Sequence, residues 1–381
     1  MTTYRTWVEI DERALLSNIE TLRSLLSEET HLCGVVKANA YGHGIKEVVQ
    51  ILARSGVDAF GVDNIDEALF VRSLHPSALI LVLGYTLPER LQDAIQQNID
   101  LTVYDLEIIK RLEEESTKLA KQVNIHLKIE TGTSRQGIVQ QEYRQFFEEI
   151  KKSKHLILKG LSTHFANIED VTDTSYPTHQ FQRFQEAIIE ARTSNLTPTY
   201  THCACSAAVI LYPDTHGNLV RSGIALYGIW PSPIVETTTR QHGIPCRLNP
   251  VLTWKTRIAQ VKSLPAGTPI GYGLTEILSR QSRVAVLPVG YSDGYDRSLS
   301  SKGEVLIQGQ RCKILGRICM NMMMVDVSTV PNTETGQEVV LIGRSGRHEV
   351  TAVNLAKQAD TIPYEILSRI NPNLPRIVTR L

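Results

Sequence analysis

Residues 31–44 read His-Leu-Cys-Gly-Val-Val-Lys-Ala-Asn-Ala-Tyr-Gly-His-Gly, a short apolar run that ends on Lys37 and breaks into a glycine-punctuated turn. The run has the length and β-branched content of a buried strand, and a helical face follows it at Val48, Val49, Ile51 and Leu52. Together they make one βα unit. A lysine at the tip of a buried strand does little for solubility. Burying an unpaired ammonium lowers its pKa by up to roughly 3–5 units, and a neutral lysine amine is the nucleophile that forms Schiff bases with aldehydes. The bland alternative is a strand-end lysine snorkelling to water. The Tyr-Gly-His-Gly that follows weakens it.

Working outward, runs of the same kind recur at 59–63, 79–84, 101–104, 123–130, 158–165, 199–206 and 219–228, with helical spacing between most of them. Strands alternating with helices imply a parallel sheet. Eight of them fit a closed (β/α)8 TIM-like barrel better than an open sheet. We expect residues 1–240 to form this barrel domain, with 7–10 as a strand that could belong to either part. Prolines at 231, 233, 245 and 250 mark 229–250 as a connection. Residues 241–381 read as a second, mainly β domain, with runs at 253–261, 283–288, 303–308, 313–318 and 339–343 and helices near 352–358 and 363–369.

Composition excludes several classes. The 381 residues carry 40 Lys+Arg and 40 Asp+Glu, so net charge is zero and no nucleic-acid partner is expected. No stretch approaches the ~18 apolar residues that span a bilayer, and the start does not read as a signal peptide. Six cysteines without paired spacing suit a reducing compartment, so the cytoplasm is expected. His202-Cys203-Ala204-Cys205 raises the question of zinc. Strand-spaced cysteines point to opposite faces and no second ligand pair follows, so no metal site is expected.

In a barrel, chemistry sits where strands end. Strand one ends in Lys37 and Tyr41, strand five carries Lys128 and leads to Arg135, and strand six ends in His164. Strand seven carries His202 and ends in Ser206; strand eight carries Arg221 before Gly223. Polar groups thus gather at one rim, while the strand interiors read as apolar. Each of these alone has an ordinary structural explanation. Their conjunction does not.

These residues fall in motifs that resemble the alanine racemases, and the likeness runs essentially end to end. They are Val36-Lys37-Ala38-Asn39-Ala40-Tyr41-Gly42-His43-Gly44, Lys128-Ile129-Glu130-Thr131-Gly132 leading to Arg135, and Thr163-His164-Phe165-Ala166. Further on come Ser206-Ala207-Ala208, Arg221-Ser222-Gly223-Ile224-Ala225-Leu226-Tyr227-Gly228, Gly271-Tyr272-Gly273, Gly316-Arg317-Ile318-Cys319-Met320 and Pro363-Tyr364-Glu365. The resemblance implies a racemase that uses pyridoxal 5'-phosphate (PLP) held by Lys37 as an aldimine. Lys37 and Tyr272 would be two opposed proton handlers, Tyr272 coming from the partner subunit with Arg297 in support. Arg221 would stand at the pyridine nitrogen, braced by His202, with His164 beside the ring. Tyr41, Ser206, Gly223, Ile224 and Tyr364 would bind the phosphate. Arg135 and Met320 would meet the substrate carboxylate, and Lys128, often carbamylated in this family, would orient Arg135. A homodimer with shared sites follows from these roles. A serine or broad-specificity racemase shares nearly all of these residues. A decarboxylase is disfavoured by Arg221 in place of an acid, and a non-catalytic PLP-binding protein would not need the C-terminal residues. Cys205 and Asn321 depart from the family pattern, which usually has asparagine and aspartate there.

Overall fold

The computed structural model describes residues 3–380. They divide into two compact units, one of residues 14–38 and 48–250, the other of 3–13, 39–47 and 251–380. Nothing in the sequence marks 39–47 as leaving the barrel unit.

The first unit is a ring of eight parallel strands: His31–Val35, Ala59–Val62, Leu79–Val82, Asp100–Val103, Val123–Lys128, Leu156–Ser162, Tyr200–His202 and Leu219–Ser222. Numbered one to eight in that order, they pair as seven-six-five-four-three-two-one-eight. The sheet is thus an α/β barrel with its seam between strands seven and eight. There the N–H of Arg221 donates to the carbonyl of Ala204 at 3.0 Å, a bond beyond the regular ladders that draws the two ends together. Strands two, four and eight are buried at every position, as expected of parallel strands covered on both faces. Between strands five and six the register slips: Ile125 faces Leu158, but His126 faces Gly160. Lys159 is the extra residue of this bulge, a device that re-aims side chains.

The second unit is mainly β. Its strand Thr6–Asp11 pairs antiparallel with Leu252–Arg257 and parallel with Arg376–Thr379, which settles the ambiguous opening run in favour of this sheet. Hairpin partners Glu304–Ile307 and Gln310–Leu315 and the long strand Glu338–Ser345 extend it. Helices Ala352–Ala359 and Pro363–Ser368 follow.

Two expectations are corrected. The segment 229–250 is not plain connection, because helix Pro233–Gln241 lies inside it. Ser232 accepts the N–H of Val235 as N-cap, and Pro233 takes the first helical position, where its missing N–H costs nothing. Proline there starts a helix rather than breaking one. The run 253–261 is two strands, Leu252–Arg257 and Gln260–Leu264, in different parts of the sheet path. Among the described residues no helix is long and apolar enough to cross a membrane.

Candidate active site

Strand one stops at Val35, and the chain then enters a left-handed turn. Ala38, Asn39, Ala40 and Tyr41 have φ of 53°, 55°, 53° and 53°. Four successive L-residues in this region are costly, at about 1–2 kcal/mol each. The sequence motif supplies what holds them. The N–H groups of Gly44 and Ile45 donate to the carbonyl and side-chain oxygen of Asn39, both at 2.9 Å. His43 Nδ1–H donates to the carbonyls of Ala40 and Tyr41 at 3.1 and 3.0 Å. Gly42, at φ 81°, has room for no side chain, since a Cβ would stand 1.9 Å from the carbonyl oxygen of Leu367. Arg376 then donates to the carbonyl of Gly42 at 2.9 Å.

Lys37 precedes this turn and is not buried, contrary to the reading of its strand. Its side chain is 41% exposed, with Nζ 3.7 Å from the Asp63 carboxylate. The sheet ends before the lysine, so the barrel does not enclose it. Glu67 ties the same region together, accepting the N–H groups of Ala38 at 2.7 Å and Asp63 at 2.9 Å. The buried lysine is Lys128. Desolvation first, then the nearby Arg221 and Arg135, hold its pKa well below that of an ordinary lysine.

Arg221 is buried, and its partners are carbonyls and imidazoles. Nη1 donates to the carbonyl of His202 at 2.8 Å and to His202 Nδ1; Nη2 donates to the carbonyls of Thr163 at 2.8 Å and Cys203 at 3.3 Å. His164 Nδ1 lies 3.4 Å from Nη2. Burial lowers the arginine's pKa, and it pushes the neighbouring thiols of Cys33 and Cys203 up to about 12, so neither supplies a counter-anion near neutrality. Beneath this arginine the barrel is not apolar as expected. His202, His126 and Asp100 are all buried and hydrogen-bonded in series.

His164 marks the electrostatic centre of the rim. Its pKa lies well below the usual histidine value, through burial first and then through the positive charge of Lys128, Arg221, Arg135 and Lys37. Arg135 is exposed on a loop that Glu130 holds, its carboxylate taking the N–H of Gly132 and, at 3.3 Å, that of Arg135. Tyr176 fastens the loop from outside, its hydroxyl donating to the Gly132 carbonyl at 2.7 Å. At the ends of strands seven and eight, Ser206 Oγ accepts the N–H of Gly223 at 3.0 Å and of Ala225 at 3.4 Å, and lies 3.2 Å from Ser222 Oγ. Ile224 is buried in the same turn.

The remaining expected residues lie in the β unit. Tyr41 and Tyr364 have ring centroids 6.0 Å apart. Tyr272 is 72% exposed between Gly271 and Gly273, at φ 71° and 73°, and Met320 is 56% exposed. Arg297, itself exposed, opens a separate turn, Arg297–Leu299, and no hydrogen bond from it to Tyr272 is formed among the described residues. Asn321 Nδ2 donates to Ser292 Oγ at 2.6 Å.

Sequence reasoning missed Asp63, Glu67, Asp100, His126 and Gly160. His126 was within reach of it: period-two alternation places it on the same strand face as Lys128. Asp100 sits one residue ahead of the apolar run at 101–104.

A parallel-stranded barrel with basic side chains at its C-terminal rim has the arrangement in which barrel enzymes place their active sites. Residues 10–231 match "Alanine racemase, N-terminal domain" and 251–378 match "Alanine racemase, C-terminal domain". The alanine racemase of Leptospira interrogans serogroup Icterohaemorrhagiae serovar Lai (strain 56601) is 38% identical over 378 residues, 99% of this chain and 96% of the relative. That of Symbiobacterium thermophilum is 39% identical over 371 residues, 97% and 96% of the two chains. Among solved structures, alanine racemase of Clostridium difficile 630 superposes with a TM-score of 0.93 at 33% identity, covering 100% of this chain and 97% of that one. The Bacillus anthracis enzyme with bound L-Ala-P gives 0.93 at 32%, covering 100% and 96%. The chain belongs to the alanine racemase family. It is an isomerase.

Proposed function

We propose that this protein interconverts L- and D-alanine with pyridoxal 5'-phosphate as its resident cofactor. The observation that carries the reading is the gathering of basic side chains at the barrel rim around His164: Lys37, Arg135 and the buried Arg221 3.4 Å from its Nδ1, together with the buried amine of Lys128. Such a rim calls for anions, and cofactor and substrate bring phosphate, phenolate and carboxylate. The donor set fits the cofactor. The N–H groups of Gly223 and Ala225 lie together on Ser206 Oγ, and a phosphate there would take this hydroxyl and these N–H groups as its donors. Arg221, fixed by carbonyls and imidazoles, is effectively always protonated.

When bound, PLP withdraws electrons from the substrate's α-carbon and so lets its proton leave. The chain's residues do the rest. Lys37 Nζ holds the cofactor and handles the α-proton on one face. The Tyr272 hydroxyl of a second copy handles it on the other, with Arg297 lowering the cost of the phenolate. Arg221 keeps the cofactor's ring nitrogen unprotonated by charge repulsion, which limits transamination and decarboxylation. His164, whose pKa burial and nearby positive charge hold well below the usual histidine value, would pack by the ring. Arg135 orients the substrate carboxylate. Burial and the neighbouring arginines favour the neutral amine of Lys128, the form that adds CO2: its nitrogen would bond the carbon, a proton would leave, and the carbamate anion would sit near Arg135. For Tyr41, Ile224, Tyr364, Tyr272, Arg297 and Met320 the support is the sequence resemblance. If Tyr272 and Met320 act across subunits, a two-fold homodimer is the working unit. Six free cysteines suit the cytoplasm.

Purified protein given L-alanine and PLP should form D-alanine until the two are equal, since enantiomers have equal free energy in water. Lys37→Ala should remove both the cofactor's protein-linked absorbance and the activity. Racemisation that persists without any PLP would overturn the assignment. Faster turnover of serine than of alanine would move it to the broader reading.

A further inference from the structure

Beneath Arg221 runs a chain of buried hydrogen bonds. Arg221 Nη1 meets His202 Nδ1, His202 Nε2 lies 2.8 Å from His126 Nδ1, and His126 Nε2 lies 3.3 Å from Asp100 Oδ2. Both imidazoles and the carboxylate are buried, and Asn124 Nδ2 donates to the other Asp100 oxygen at 2.9 Å. The direction of every bond follows from its first member. A guanidinium has only hydrogens to give, so His202 Nδ1 must be bare. The hydrogen of neutral His202 is then on Nε2 and points at His126, whose Nδ1 must accept it. His126 therefore carries its hydrogen on Nε2 and donates to Asp100. One tautomer is allowed at each ring.

The barrel is shaped to seat this chain. His126 sits at the register slip between strands five and six, opposite Gly160. A Cβ on Gly160 would stand 2.3 Å from His126 Nδ1, the atom that accepts from His202. The ring of Tyr200 stacks on His126, with centroids 6.2 Å apart and planes at 16°. A bulge, a glycine and an aromatic wall all serve one ring that touches neither rim nor solvent.

We propose that Asp100 and His126 are positioning residues for Arg221. They hold His202 in the tautomer with a bare Nδ1, so that the guanidinium is held at a fixed place and angle, and Asp100 balances its charge from inside the barrel through two neutral rings. The kinetic consequence rests on the racemase reading above; the relay itself does not.

The test is 15N NMR of the ring nitrogens in protein labelled at histidine, with and without PLP, alongside kinetics of three variants. In the unaltered protein His126 and His202 should each show a pyridine-like Nδ1 and a pyrrole-like Nε2. His126→Phe and Gly160→Ala should take away the acceptor of the His202 Nε2 hydrogen, so that the His202 ring-nitrogen signals shift and broaden as the ring loosens. In both, kcat should fall by roughly tenfold or more, the scale seen when an outer partner that orients a functional group is removed, with KM moving less. His126→Gln, whose amide can accept from His202 and donate to Asp100, should restore part of that loss. A hydrogen on Nδ1 of His202 in the unaltered protein overturns the relay and needs no variant to fold. So does a His126→Phe protein with unchanged His202 signals and unchanged kcat. If the protein racemises nothing, the functional reading fails while the ring nitrogens still decide the relay.

Discussion

Lys128 lies inside the barrel and Lys37 reaches solvent beside Asp63, so two lysines at one rim sit at different depths. Depth governs His43 too. Burial, only partly offset by the carbonyls it bonds, lowers its pKa from 6.5 to about 4. The unfolded chain therefore takes up this proton first as pH falls. Stability from the neutral ring is complete above pH 6.5 and is lost on the way down to about pH 4, by roughly 3 kcal/mol for this one group. Chemical denaturation at several pH values should show that slope, and His43→Gln should flatten it even if it lowers stability overall. A second residue-scale prediction concerns Cys205, which holds the N-cap position of helix Ser206–Leu211 without a side-chain capping bond. Cys205→Asn should raise stability by about 0.5–1 kcal/mol, read as a higher denaturation midpoint. An unchanged or lower midpoint would show that the site cannot use a cap.

At the scale of elements, the left-handed turn after Lys37 asks most of its surroundings. Gly42→Ala would set a methyl group against the Leu367 carbonyl at a positive φ, and should destabilise by more than about 1 kcal/mol. Cofactor retention should fall with it, because the turn follows directly on Lys37. An equilibrium unfolding curve and the protein-bound cofactor absorbance read the two effects separately. This turn also shows where sequence reading ends. The eight barrel strands were legible, since each is a short apolar, β-branched run closed by glycine or a polar residue. So were the rim residues, because they stand where those runs stop. Ala-Asn-Ala-Tyr carries little local preference for a left-handed helix, and besides the bonds within its own motif the turn is held by Arg376, 334 residues beyond Gly42. The relay was hidden for a related reason. Asp100 and His126 look like ordinary polar positions until the closed barrel buries them against each other. Helix Pro233–Gln241 was legible in principle, through its Ser-Pro start, but four prolines in a short span hid it.

At the scale of the whole molecule, the proposed homodimer is what can be tested. Tyr272, Leu274, Ile277, Met320 and Met322 are large apolar or aromatic side chains left exposed on the β unit, at 72%, 64%, 62%, 56% and 53%. These are the side chains that the proposed partner subunit would cover. On this account each working site takes Lys37 from one chain and Tyr272 from the other. Lys37→Ala and Tyr272→Phe proteins, each alone, should then lack normal racemase activity. Unfolded together, refolded as a mixture and assayed for D-alanine formed from L-alanine, they should recover about a quarter of the normal rate. Half of randomly paired dimers are mixed, and one of the two sites in each mixed dimer is whole. Recovery near a quarter is the predicted result; a mixture no more active than the sum of its two parents would contradict the account.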